Sequence, residues 1–230
     1  MIVYVDLEHE RLRKDPAHAE SSLAECLKIK YRLEGISGQP CLIVRYDRLN
    51  PGLLHEHKIR AVLVGGNSTD WEHYSEADLA GLRAVFREAA WPTLGFCGGC
   101  QMLAQSYGAE ISPLGPLPSG APDPYTHLRL SPGMKQERGF MPLRVVQPHP
   151  LFESLAPLPV VYQSHYWEIK SPPHGFRTFA ETDLTAVQMI AHERLPLYGT
   201  QFHPELYDAA HPDGRILLEN FFRTSSETVS

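Results

Sequence analysis

The sequence predicts an α/β fold, a three-layer arrangement in which a mostly parallel central sheet is covered by helices on both faces and carries an antiparallel extension. Three observations lead there. Through the first hundred positions, short apolar runs rich in β-branched residues alternate with helix-like stretches, the pattern of a parallel sheet buried on both faces. From Arg138 onward, strand-like runs follow one another with turns and no long helix between them, the pattern of hairpin pairing. With 43% hydrophobic and 21% charged residues over 230 positions, the chain has apolar side chains enough for one sizeable core and lies far from the composition of disorder.

Taken in order, residues 2–5, 41–46, 61–64 and 93–96 read as the buried strands of the first half. The clearest helix is 76–90, where Leu79, Leu82, Val85, Phe86 and Ala89 keep a helical period behind Ser75-x-x-Asp78, a capping signal. Residues 112–134 break the rhythm with six prolines and three glycines; because buried strands resume afterwards, they read as a long ordered loop rather than a linker. The runs 140–146, 160–163, 177–180, 186–191 and 197–202 supply the antiparallel extension. An amphipathic helix over 214–222, with Ile216, Leu217, Asn220 and Phe221 on related faces, closes the fold, and residues 224–230 are expected to fray. No internal repeat interrupts residues 1–230, which read as one domain.

Composition excludes some functions. The formal charge is −6 and no Lys/Arg block occurs, which argues against a phosphate backbone or an anionic membrane as partner. No apolar run approaches the ~18 residues of a membrane span, and no signal peptide is expected. Four cysteines, Cys26, Cys41, Cys97 and Cys100, do not make a disulfide scaffold at this length; a reducing, cytoplasmic setting is expected.

The stretch Gly95-Phe96-Cys97-Gly98-Gly99-Cys100-Gln101 runs from a strand into a helix. Its glycines permit a sharp turn and close neighbours, so Cys97 is projected from a nucleophile elbow. At a helix amino terminus the dipole favours an anionic sulfur, and the Gly98 amide would face an oxyanion formed on an attacked acyl group. Among 12 histidines, His203 in Gln201-Phe202-His203-Pro204-Glu205 is best placed as the base. It ends a strand, and Pro204 sets a turn that lets Glu205 fold back toward the imidazole.

Both segments resemble the class I glutamine amidotransferases, which carry a G-x-C-x-G-x-Q elbow and a Q-F-H-P-E element about a hundred residues apart. Val64-Gly65-Gly66-Asn67-Ser68 is similar to that family's glycine loop, and Gln163-Ser164-His165-Tyr166-Trp167-Glu168 to its segment beside bound glutamine; the resemblance spans roughly residues 60–206. It implies a flavodoxin-like fold and hydrolysis of the glutamine side-chain amide through a γ-glutamyl thioester, with ammonia released for a second reaction. Carried over by position, Cys97 is the nucleophile, His203 the general base and then acid, and Glu205 the orienting carboxylate. Gly66 and Gly98 supply oxyanion-hole amides, and Gln101, Ser164, His165 and Tyr166 hold the substrate. No metal and no organic cofactor is implied, and the ammonia acceptor is expected on a separate synthetase chain, docked near the mouth of the site where residues 112–134 lie. Three positions depart from the pattern: Asn67 stands where the glycine loop often has proline, Tyr166 where many members have glycine, and the 112–134 loop matches nothing in the motifs.

Other readings of the same residues stay open. Cys97-x-x-Cys100 at a strand-to-helix junction also suits a thioredoxin-type redox pair, and with His203 nearby it suits, more weakly, a zinc site. Cys100 reads as a small buried filler. The triad would equally serve a stand-alone hydrolase of other γ-glutamyl compounds, and the scaffold could serve a non-catalytic regulatory protein. Glutamine against γ-glutamyl amides as substrates separates these.

Overall fold

The computed structural model describes residues 1–126 and 131–227. Its first half alternates as the apolar runs predict: β1 (Ile2–Asp6), α1 (Glu10–Lys14), α2 (Ala19–Ser37), β2 (Cys41–Arg45), α3 (Pro51–Glu56), β3 (Ala61–Val64), α4 (Glu76–Glu88), β4 (Thr93–Phe96) and α5 (Gly98–Ser106). The second half is mostly strand: β5 (Ile111–Pro113), β6 (Glu137–Pro142), β7 (Arg144–Val145), β8 (Val160–His165), β9 (Trp167–Ile169), β10 (Phe176–Glu181), β11 (Met189–His192) and β12 (Leu197–Thr200), before the closing α6 (Asp213–Glu227).

Eight strands form one sheet in the order β2-β1-β3-β4-β12-β11-β10-β7. The first five are parallel and the last three antiparallel. Every residue of β1, β3 and β4 is buried, because helices cover both faces of the sheet. Successive side chains of β1 therefore enter different cores: Val3 and Val5 pack with residues of α3, α4 and α5, whereas Ile2 and Tyr4 pack with residues of α2 and α6. Among the described residues no helix is long and apolar enough to cross a membrane.

Local chemistry sets the helix limits. The Ser75 hydroxyl accepts the Asp78 amide at 3.1 Å, starting α4 where the capping signal lies. At the other end Ala89 adopts a left-handed conformation (φ 49°) and its amide reaches Val85 O, so the helix stops at Glu88, short of the periodic pattern. Past Phe222, where the sequence pattern fades, α6 continues to Glu227. Asn220 ties it down by donating to Leu151 O (3.1 Å) and Glu153 O (2.8 Å), and the buried Ser225 hydroxyl bonds back to Phe221 O. Residues 224–227 are thus helical rather than frayed, and 228–230 lie outside the described residues.

The antiparallel extension differs from its expectation in two ways. Residues 197–200 form β12, parallel to β4 with Gly199 level with Gly95; a run of alternating residues reports burial and says nothing of strand direction. The 140–146 run divides, because Pro142 has no amide to donate and ends β6. β6 pairs with β8 in a separate two-stranded sheet, while β7 joins the edge of the main one. In the 112–134 loop, residues 127–130 lie outside the described set. Its flanks are ordered: β5 pairs with β9, Pro116 bridges Met134, and the Leu117 amide donates to Gly133 O at 2.8 Å.

Candidate active site

Parallel pairing of β4 and β12 sets their carboxyl ends side by side, the place where open α/β sheets assemble sites. Cys97 follows β4 directly. Its backbone is held at φ 48°, ψ −106°, a conformation L-residues rarely adopt. The hold comes from both sides: its amide donates to Thr200 O at 2.7 Å, and its carbonyl accepts the Gln101 amide at 3.0 Å. The glycines around it have no room for a side chain, since a Cβ on Gly99 would stand 2.3 Å from Val64 O and one on Gly95 would stand 2.5 Å from Gly99 O.

After β12 the chain turns through Pro204–Leu206. His203 is fixed by its amide to Tyr162 O (2.8 Å). Its Nδ1 donates to Glu205 Oε1 at 2.7 Å, and both side chains are largely shielded from solvent. The carboxylate can only accept, which assigns the proton to Nδ1 and turns Nε2 the other way. That edge faces Gly66: a Cβ there would lie 2.9 Å from His203 Cε1, 3.7 Å from Nε2 and 3.4 Å from Cys97 Cβ. Burial opposes a charge on His203, but the Glu205 carboxylate and then the Cys97 sulfur outweigh it and hold the imidazole well above its ordinary range. Cys97, His203, Glu205 and Gly66 are therefore brought together. Gly98 opens α5 beside them, packed against Asn67, whose Oδ1 would be 1.8 Å from a Cβ on Gly98.

The glycine loop is stiffened without its proline. Asn67 Nδ2 donates to Thr69 O (2.7 Å), while the buried Glu8 accepts from the Ser68 amide (2.8 Å) and the Thr69 hydroxyl (3.0 Å). Sequence reasoning missed Glu8; a carboxylate just past an apolar strand was the available signal. It also gave Gln201 no role. That side chain is fully buried and its amide lies 3.6 Å from Cys97 Sγ.

Of the four residues expected to hold substrate, all line a cavity of about 270 Å³ that has Cys97 in its wall. Their side chains do different things. Gln101 is engaged by protein, accepting from Trp71 Nε1 (3.0 Å) and donating to Trp167 O (3.2 Å) and Gln201 Oε1 (3.1 Å). The Ser164 carbonyl is 3.9 Å from Cys97 Sγ. His165 turns its buried imidazole away into the protein, with Nδ1 at Trp167 O (2.9 Å) and Nε2 3.1 Å from Glu137 Oε2. Burial works against the Glu137 charge, but hydrogen bonds from His165, Thr182 and Thr185 hold its carboxyl below the usual range. Tyr166 reaches across the cavity mouth and donates to Asp70. A second cavity of about 240 Å³ lies on the far side, with His203 and Glu205 in its wall; the two share Asn67, Ser68 and Ser164.

The other three cysteines are free and buried. Burial, then the Asp6 charge, pushes Cys26 up to about 11; burial, then Glu34, does the same to Cys41. Cys100 is raised well above its ordinary value by burial and packs on Gly199, where a Cβ would be 2.6 Å from its sulfur. A raised, enclosed thiol is the reverse of what a redox pair needs. Among the described residues no three His, Cys, Asp or Glu side chains converge as a metal-binding group.

Comparison with known proteins places these features in context. The family model for glutamine amidotransferase class-I matches residues 35–224. A glutamine-hydrolyzing GMP synthase subunit from Archaeoglobus fulgidus is 31% identical over 135 residues, covering 59% of this chain and 62% of that protein. The protein of the same name from Pyrococcus furiosus is 29% identical over 156 residues, covering 68% and 65%. The chain thus spans a little under two thirds of the length of these relatives. By structure, a candidate GMP synthase subunit from Thermoplasma acidophilum superposes with a TM-score of 0.73 at 21% identity, over all of this chain and 96% of that one. A glutamine amidotransferase from Methylobacillus flagellatus gives 0.60 at 18% identity, over 90% and 70%. These two likenesses are of fold.

Proposed function

Because the chain belongs to the class I glutamine amidotransferase family, we propose that it hydrolyses the side-chain amide of L-glutamine and passes the ammonia to a separate synthetase chain. The observation that carries this reading is the strained Cys97 elbow set against an imidazole whose other nitrogen is held by a buried carboxylate at 2.7 Å.

Chemistry follows from placement. The Cys97 sulfur forms a bond to the amide carbon, and the oxygen that gains charge is met by the backbone amides of Gly66 and Gly98. His203, which keeps its Nδ1 proton on Glu205 and has taken the Cys97 thiol proton on Nε2, delivers that second proton to the nitrogen; the C–N bond breaks and ammonia leaves. Water then attacks the γ-glutamyl thioester as His203 takes one of its protons, and the C–S bond breaks to release glutamate and restore the thiol system. Two cavities meeting at this point suit the division of labour: the acyl group in the one that Cys97 lines, the departing nitrogen toward the one that His203 lines.

A larger leaving group than ammonia is the second reading, favoured by the volume behind His203. It makes the protein a γ-glutamyl hydrolase, and turnover of γ-glutamyl amides faster than that of glutamine would select it. The relatives' names, each that of one subunit of a glutamine-hydrolyzing synthase, support a distinct partner for the nitrogen. Four free cysteines support a reducing cytoplasmic setting.

The test is ammonia release from glutamine, with intact-mass analysis after exposure to an electrophilic glutamine analogue. One adduct on Cys97 is expected, and Cys97→Ala should lose both adduct and ammonia release. An adduct elsewhere, or full ammonia release by the variant, sinks the reading.

A further inference from the structure

We propose that Arg138 and Asp70 read the two charges of the glutamyl head group, Arg138 binding the α-carboxylate and Asp70 the α-ammonium. The inference rests on the glutamine-hydrolysis reading and adds to it two residues outside every motif quoted above.

Among the described residues, Arg138 and Asp70 are the only Lys or Arg and the only carboxylate in the lining of the cavity that holds Cys97. The β6–β8 register pairs Arg138 with Ser164, whose carbonyl is the one beside Cys97 Sγ. The guanidinium is steered into place by two neutral partners, Nε donating to Gln136 Oε1 (2.6 Å) and Nη1 to Ser164 Oγ (3.0 Å). Nη2 has no partner among the described residues, and none of their carboxylates lies within ion-pair distance. Half-buried, already oriented and uncompensated, it is set to take a carboxylate by charge-assisted hydrogen bonds.

Asp70 belongs to the loop that follows the glycine turn, and its carboxylate accepts the Tyr166 hydroxyl. It too lacks an ionic partner among the described residues. A tyrosine in place of the usual glycine thus does more than crowd the backbone. It holds a carboxylate at the rim of the cavity. A zwitterionic head group satisfies both charges at once, whereas an acyl chain lacking either one leaves a protein charge without a partner, which is how polar sites reject the wrong ligand.

The experiment measures the rate at which Cys97 is alkylated by the chloromethyl ketone analogue of glutamine, in which sulfur displaces chloride. It is run beside the same ketone lacking the α-carboxylate, the same ketone lacking the α-amine, and iodoacetamide, which reports the sulfur alone. Wild type should prefer the complete analogue over either truncated one by about 10- to 100-fold. Arg138→Gln should lose that factor toward the complete and amine-free analogues and nothing toward the carboxylate-free one. Asp70→Asn should do the converse, and Arg138→Lys should restore part of the loss. Iodoacetamide rates should stay within about twofold in every variant, which separates recognition from a general loosening of β6 and β8. Equal losses toward all the ketones, or no loss in either variant, overturn the assignment. If wild type reacts no faster with the glutamine ketone than with iodoacetamide, the glutamine reading itself fails and takes this one with it.

Discussion

His203 keeps a proton in a buried setting because Glu205 and the Cys97 sulfur stabilise the cation more than burial disfavours it. This has a consequence for stability as well as for catalysis. A histidine whose folded value is raised contributes stability that is full below its ordinary value of about 6.5 and fades as pH rises through the folded value. Glu205→Gln removes the chief source of the rise. The gap in melting temperature between wild type and this variant should therefore be widest near pH 6 and close toward alkaline pH, as a series of thermal melts would read; a gap that widens with pH would refute it. With the carboxylate gone the imidazole also loses its orienting partner, and kcat is expected to fall by about 10²- to 10⁴-fold. Both His203 and Glu205 were legible in the sequence because proline between them dictates the turn. Arg138 and Asp70 were not, since 68 positions separate them and no local pattern links a strand arginine to a loop aspartate.

Elements explain why the elbow is where it is. β3 ends against the start of α5 with so little space that the carbonyl of Val64 fills the place of any side chain on Gly99. Gly99→Ala is expected to destabilise the fold by about 1–3 kcal/mol and to displace the nucleophile, measurable as a drop in denaturation midpoint with loss of Cys97 alkylation. Gly35 provides the contrast. It sits exposed within α2 with nothing within 4 Å of the place a Cβ would occupy, so Gly35→Ala should stabilise by about 0.5–1 kcal/mol through helix propensity alone and leave turnover unchanged. The start of α4 followed the sequence because a cap marked it, at Ser75. Helix ends departed from it at Ala89 and beyond Phe222, where a left-handed residue and the anchoring of Asn220 by a distant turn decided the outcome.

For the whole molecule, the proposed supply of ammonia to a separate synthetase chain predicts that glutamine hydrolysis and synthesis can be separated. Glutamine-dependent synthesis by the paired chains is expected to vanish with Cys97→Ala, while synthesis from added ammonium salts continues at the wild-type rate; loss of both would show that the cysteine serves something other than ammonia supply. The alternation of apolar runs determined by itself that a parallel sheet would be buried on both faces, and two short motifs determined which cysteine, histidine and glutamate would meet. Such features are local, because burial periodicity, glycine at a tight turn and proline after a histidine act within a few residues. Strand direction, the pairing of β12 with β4, the splitting of β6 from β7 and the facing of Arg138 and Asp70 across one cavity were decided only by tertiary structure. Each depends on which distant segments pack together, and packing is settled by the fit of whole surfaces rather than by any single stretch of chain.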